Sequence, residues 1–157
     1  MSDMLVKLYA LPPLEAILTE QRQAGIEIRR AMAAEKGIVV DWVGQHFEPE
    51  WVSECEVAFA RQPISCFIAI ENGQLAGFAC HDATCRDFFG PTGVSPSHRG
   101  RGIGRALLLA CLHAMAGQGY AYAIIGGVGP VEFYAKSVGA VLIEGSEPGI
   151  YGGMLKK

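Results

Sequence analysis

The stretch from Val94 to Leu109 constrains this chain more than any other. It reads Val-Ser-Pro-Ser-His-Arg-Gly-Arg-Gly-Ile-Gly-Arg-Ala-Leu-Leu-Leu. Glycines stand at alternate positions (Gly100, Gly102, Gly104), with arginines at Arg99, Arg101 and Arg105, and an apolar helical run follows at once. Glycine turns the backbone sharply and lets several amides approach one ligand. A helix starting there leaves its first N–H groups unpaired, with the positive end of its dipole behind them. Such an end suits an anion, above all a phosphate, and arginines add charge-assisted hydrogen bonds. Two familiar glycine loops are excluded by spacing. The dinucleotide fingerprint needs G-x-G-x-x-G, and the nucleoside-triphosphate loop needs Lys followed by Ser or Thr. Here Gly104 is followed by Arg105-Ala106.

Hydrophobic periodicity orders the rest of the chain. Ile26 to Arg30 alternates as a half-buried strand does, and Ala33 to Phe47 reads as a helix, with Val39, Val43 and Phe47 on one face. Glu48-Pro49-Glu50 opens a second helix, which Pro63 bars from continuing. Ser65 to Ile70 and Leu75 to Cys80 flank Glu71-Asn72-Gly73-Gln74, the strongest short hairpin signal in the chain. Asp87 to Val94 reads as a strand interrupted at Gly90-Pro91, where a bulge or splay is expected. Gly104 to Ala116 is apolar nearly all round, as a buried helix is. Tyr120 to Ile125 reads as a strand, Pro130 to Ser137 as a helix, and Val141 to Glu144 with Ile150 to Leu155 as a closing pair of strands. The expected fold is α/β, a mixed sheet with helices on its faces.

Arg99-x-x-Gly102-x-Gly104, with Val94-x-Pro96 before it and a leucine-rich helix after it, resembles the acyl-CoA pyrophosphate loop of the GCN5-related N-acetyltransferases. The order of elements from Ile26 to Leu155 is similar to that family as well. The resemblance implies a mostly antiparallel sheet splayed between its fourth and fifth strands, with the acyl-pantetheine arm inserted in the opening. It implies acetyl-CoA as co-substrate. Its pyrophosphate would lie on Arg99, Gly100, Arg101, Gly102, Ile103, Gly104 and Arg105, and its pantetheine against Thr92 and Val94. Met1 to Gly25 lies outside the resemblance and reads as an N-terminal extension to a domain of residues 26–157.

Phe133-Tyr134-Ala135-Lys136-x-x-Gly139 is similar to the family's second motif, in which the tyrosine lies near the CoA sulfur. Tyr134 is therefore the candidate general acid; the ordinary alternative is an aromatic packed between helix and sheet. Two positions depart from the family: Gly127 stands where an Asn is common, and Ala140 where an aromatic is common. No general base is legible. Asp87, Asp82, His81, Glu132 and Glu54 are available, and for each a structural or solvated role is the commoner one. Trp42, His46, Glu48 and Trp51 are the expected walls for the acceptor, which suit a small cationic amine; a protein amine is the other option. Dimers are common in the family, and nothing in the sequence fixes the oligomeric state.

Composition limits the alternatives. A formal charge of −3 gives no general attraction to nucleic acid or anionic membrane. No secretory signal or spanning segment is visible. Five cysteines without a C-x-x-C pair read as free thiols of a reducing cytoplasm. Cys80-His81-Asp82-x-x-Cys85 lacks the paired spacing of a zinc site, so no metal is expected. The rival readings are a non-catalytic acyl-CoA sensor and a domain for some other phosphate ligand.

Overall fold

The computed structural model describes residues 1–157 as a seven-stranded sheet with helices on both faces. Strands are β1 (Met4–Lys7), β2 (Glu27–Arg30), β3 (Cys66–Glu71), β4 (Gln74–His81), β5 (Phe88–Val94), β6 (Tyr122–Ile125) and β7 (Val141–Leu142). Helices are α1 (Leu14–Gln23), α2 (Lys36–His46), α3 (Pro49–Phe59), α4 (Ile103–Gly117) and α5 (Val131–Val138). The sheet order is β2-β3-β4-β5-β6-β1-β7, antiparallel throughout except for the parallel pair β5–β6.

Local chemistry sets several boundaries as the sequence predicts. Asn72 and Gly73 both take positive φ, 51° and 74°, in the two-residue turn that pairs Glu71 with Gln74. Pro49 occupies the first turn of α3, where its missing N–H costs nothing. Gly139 closes α5 in the left-handed conformation at φ 66°.

Period-two alternation divides the core into two clusters. Cys66, Ile68, Phe78 and Cys80 face α2 and α3, where they meet Val39, Val43, Cys55 and Phe59. Ala69, Ala79, Phe89 and Ile125 face α4 and α5 in the larger cluster, joined by Ala76 at the register shift between β3 and β4. α4 is buried almost all round because the sheet covers one side and α1 the other. Leu107, Leu108, Leu109 and Leu112 are each 0% exposed, and burying each such side chain stabilises the fold by about 1.5–3 kcal/mol. At 15 residues α4 is the longest helix, and no helix is long and apolar enough to cross a membrane.

Two sequence expectations differ from the structure. Met1 to Gly25, read as an extension, supplies a strand and a helix of the fold itself. β1 lies between β6 and β7, with Met4 opposite both Ile125 and Leu142, and Met4 and Val6 are fully buried. The second is Ile150 to Leu155, which is no strand. It forms a tight turn at Gly149–Tyr151 and then irregular chain, and the strand beside β7 is β1 instead. Asp3 fastens this arrangement: its carboxylate accepts the Gly127 N–H at 2.8 Å, its N–H donates to Ser146 Oγ at 2.8 Å, and its carbonyl accepts the Ile143 N–H at 2.9 Å.

Candidate active site

β5 and β6 pair only at Phe88–Ile124 and Phe89–Ile125 and then part, which is the splay expected between the fourth and fifth strands counted from Ile26. Opposite the register shift near Ala79, Gly90 takes φ 120° and β5 turns along the opening. From Gly90 to Val94 the edge facing β6 has no strand partner, while Thr92, Gly93 and Val94 remain paired with β4 on the other edge. The gap opens into a cleft of about 1190 Å³. Since α4 and α5 lie on one face and α3 on the other, the cleft joins the two faces through the sheet. Gly104 and Leu108 of α4 with Phe133 and Tyr134 of α5 line one end. Glu50, Trp51 and Glu54 of α3 with Glu147, Tyr151 and Met154 line the other.

At the first end the glycine loop is anchored from outside. Glu71, at the tip of the β3–β4 hairpin, accepts from Arg101 at 2.6 Å and meets His98 Nε2 at 3.2 Å. The Arg101 guanidinium and His98 hold the Glu71 carboxyl below its ordinary range. Gln21 of α1 donates to the Arg101 carbonyl at 2.9 Å, and Ser95 Oγ lies 2.6 Å from His98 Nδ1. The Arg101 side chain is thus engaged by the hairpin, whereas Arg99 is exposed and Arg105 half-buried, neither within ion-pair distance of a carboxylate. Ile103 is a core residue at 1% exposure.

The three alternate glycines divide by cause. Gly100 and Gly102 sit at φ 79° and 78°, where a side chain is strained. Gly104 does not take a positive φ, and a Cβ there would make only ordinary contacts, 3.7 Å from Val94 and 3.9 Å from Phe133. Backbone geometry therefore gives no reason for Gly104. It does line the cleft, where a missing Cβ leaves room for close approach.

Of the predicted site residues, Thr92, Val94, Gly104 and Tyr134 line the cleft together; Arg99, Gly100, Arg101, Gly102, Ile103 and Arg105 lie outside its lining. Thr92 Oγ1 donates to the Phe78 carbonyl at 3.2 Å. Tyr134 is 6% exposed, and burial alone pushes its phenol up to about 12, with no hydrogen-bond or charged partner contributing. The ring is buried, but the hydroxyl opens to the cleft, where a bound molecule can complete it.

The possible bases separate sharply. Asp82 is buried away from the cleft, and its carboxylate is taken by the Asp87 N–H at 2.7 Å, His81 Nδ1 at 2.8 Å and the Tyr120 hydroxyl at 3.1 Å. Burial pushes that carboxyl up, but these bonds outweigh it and hold it below the ordinary value. Burial, then Asp82, raises the Asp87 carboxyl to about 6, and burial lowers the His81 ring. Glu132 is exposed and outside the cleft; Glu54 alone of the five lines it.

The acceptor walls are also partly redrawn. Trp51 lines the cleft, whereas Trp42, His46 and Glu48 do not. Trp42 stacks on His46 at 4.3 Å and packs edge-on to Phe78. Tyr151 carried no motif in the sequence. It covers the second glycine turn so closely that a Cβ at Gly126 would collide with its hydroxyl. Gly127, where the family often has Asn, is at φ 56° with its N–H on Asp3. Cys55, Cys66 and Cys80 bring their sulfurs within 4.8 Å of one another inside the second core cluster. There they pack as small apolar groups, and burial pushes the Cys80 thiol up.

Comparison with known proteins bears on this site. The sequence matches the model of the acetyltransferase (GNAT) family over residues 37–140, about two-thirds of the chain. Comparison with curated proteins finds no significant match. Among solved structures the chain is similar to a GCN5-related glucosamine N-acetyltransferase region of a fungal multi-domain β-N-acetylglucosaminidase. That match has a TM-score of 0.73 and 16% identity, over 90% of this chain and 19% of that one. It is also similar to a GCN5-related N-acetyltransferase from Sphaerobacter thermophilus, with a TM-score of 0.66 and 19% identity, over 90% of this chain and 48% of that one. The chain thus spans less than half the length of either protein, and at these identities the likeness is one of fold. The match from α2 to the end of α5 contains the loop, the splay and Tyr134, and the chain belongs to the acetyltransferase (GNAT) family.

Proposed function

We propose that this chain transfers an acetyl group from acetyl-CoA to the amine of an acceptor within a ternary complex. The observation that carries the reading is the through-sheet cleft, with an unpaired strand edge on its wall and an unpartnered phenol inside it. The CoA pyrophosphate is assigned to the amides of residues 99–104 at the start of α4, with Arg99 and Arg105 as free cations. The pantetheine amides are assigned to the open edge of β5 at Thr92 and Val94, in the manner of an added strand. A neutral acceptor amine entering from the α3 side attacks the thioester carbonyl. Backbone N–H groups of β5 favour the oxyanion, and the attacking nitrogen gives up its proton to water in the open cleft. The C–S bond then breaks, Tyr134 gives its proton to the departing thiolate, and the phenolate regains one from solvent. Five free cysteines, four of them buried, fit a reducing compartment such as the cytoplasm.

Thermal unfolding with acetyl-CoA, CoA, ATP and NAD at matched concentration tests this. A ligand at 100 times its dissociation constant adds about 2.7 kcal/mol to the folded state, or roughly 5–10 °C at this length. The expected result is a shift with the CoA species alone. A shift with ATP or NAD only, or none, overturns the assignment. CoA binding without turnover of any amine favours the acyl-CoA sensor instead.

A further inference from the structure

The two ends of the cleft differ in charge. Glu50, Glu54 and Glu147 line it, and no Lys, Arg or His does. Glu147 is paired with the Met1 amine and Glu50 is exposed at the mouth. Glu54 is half-buried; one of its oxygens accepts a 2.6 Å hydrogen bond from Thr84 Oγ1, and the other has no partner. Trp51, one helical turn before Glu54, and Tyr151 opposite it supply aromatic faces beside that carboxylate. Burial, then Asp3 and Glu54, pushes the Tyr151 phenol up to about 12, as a site short of positive charge requires.

An independent observation points to a ligand in this cavity. The Tyr134 phenol reaches it from α5, more than nine-tenths buried and without a hydrogen-bond partner. One end of the cleft thus presents a phenol with no protein partner, and the other a half-buried carboxylate with one unpaired oxygen.

Building on the acyl-transfer reading above, we infer that the acceptor is a small aliphatic amine with a second cationic nitrogen and no carboxylate, and that Glu54 recognises that second nitrogen. One amine reaches the thioester while the other end of the molecule pairs with the free Glu54 oxygen between Trp51 and Tyr151. The one cation in the lining, the Met1 amine, is already paired with Glu147, so a carboxylate on the acceptor finds no free cation to compensate its desolvation. Charge here excludes as well as attracts.

Pentylamine, diaminopentane and lysine form a matched set, adding first the second nitrogen and then the carboxylate. Initial rates with acetyl-CoA are expected to give diaminopentane a kcat/KM about tenfold or more above pentylamine, the size of one charge-assisted hydrogen bond. Lysine should fall below diaminopentane by a similar factor. Glu54→Gln should bring the diamine-to-monoamine ratio close to one, chiefly through KM, and Glu54→Asp should restore part of it. Glu56→Gln, on the exposed side of α3, should leave the ratio unchanged. A wild-type ratio near one, a preference for lysine, or a ratio indifferent to Glu54→Gln overturns the inference. Should Glu54→Gln fail to fold, the wild-type ratios still decide. If acetyl-CoA leaves the unfolding midpoint unmoved, or no amine of any kind is acetylated, the acyl-transfer reading itself fails and this inference falls with it.

Discussion

The two ends of the cleft are built in opposite ways. The end at α4 and α5 comes from two short contiguous stretches, residues 94–108 and 130–139, whose glycines, prolines and apolar spacing fix their own conformation. The end at α3 is assembled from α3, the Gly126–Gly129 turn and residues 147–155, tied together through Asp3 from the far N-terminus. The first end carries backbone amides and a phenol, suited to a ligand common to a whole family. The second carries carboxylates and aromatic side chains. A site made of backbone amides can be specified by local motifs, whereas one made of side chains depends on whatever distant segments the fold brings together.

The largest effect expected at the first end is that of Tyr134→Phe. Removing a general acid costs about 10² or more in kcat, with acetyl-CoA binding retained. Stability should be unchanged or slightly raised, because the hydroxyl has no partner to lose. The pH dependence carries its own signature. With the folded phenol held near 12 by burial, the kcat profile should show no alkaline limb at the ordinary tyrosine value near 10. The linked stability is fully present below the unfolded value and is lost as pH rises from about 10 towards 12, since only the unfolded chain ionises there. Retention of full turnover by Tyr134→Phe would remove the phenol from the chemistry.

Asp3→Ala probes the second end. It leaves the Gly127 N–H without its acceptor, and loss of one partner of a buried hydrogen bond costs about 1–3 kcal/mol. Chemical denaturation should read that loss. Loosening the Gly126–Gly129 turn beneath Tyr151 should raise KM for the acceptor amine while leaving acetyl-CoA affinity nearly unchanged. An equal loss for both substrates would show that the two ends are one mechanical unit.

The same contrast explains what was legible in the sequence. The Asn72-Gly73 hairpin, the all-apolar α4 and the splay near Gly90 are each specified within a few residues, and the structure has them as expected. β1 escaped notice because four residues carry little periodicity and its partners lie more than 100 positions away. The misread strand at Ile150 to Leu155 follows from that omission. Trp42, His46 and Trp51 look equivalent on the page, but helix phase turns Trp51 to the cleft and stacks the other two on each other. The charge of Arg101 suggested a phosphate contact. Its engagement by Glu71, 30 residues earlier, appears only once the hairpin folds against the loop.

Gly104→Ala has the smallest effect on the fold and separates the ends most cleanly. In a helix, alanine is favoured over glycine by about 0.5–1 kcal/mol. Nothing at this position opposes it, since φ is not positive and the nearest atoms to a new Cβ are 3.7 Å away. The variant should therefore unfold later than the parent. If Gly104 is there for close approach of the co-substrate, the same methyl group should weaken acetyl-CoA binding, read as a higher KM for acetyl-CoA with the acceptor KM unmoved. Gly102→Ala supplies the contrast: its φ of 78° and a Cβ 3.1 Å from Gln21 Nε2 predict lost stability, with the loop displaced. A Gly104→Ala protein that is more stable and binds acetyl-CoA as well as the parent would mean that the first end does not hold the co-substrate against α4.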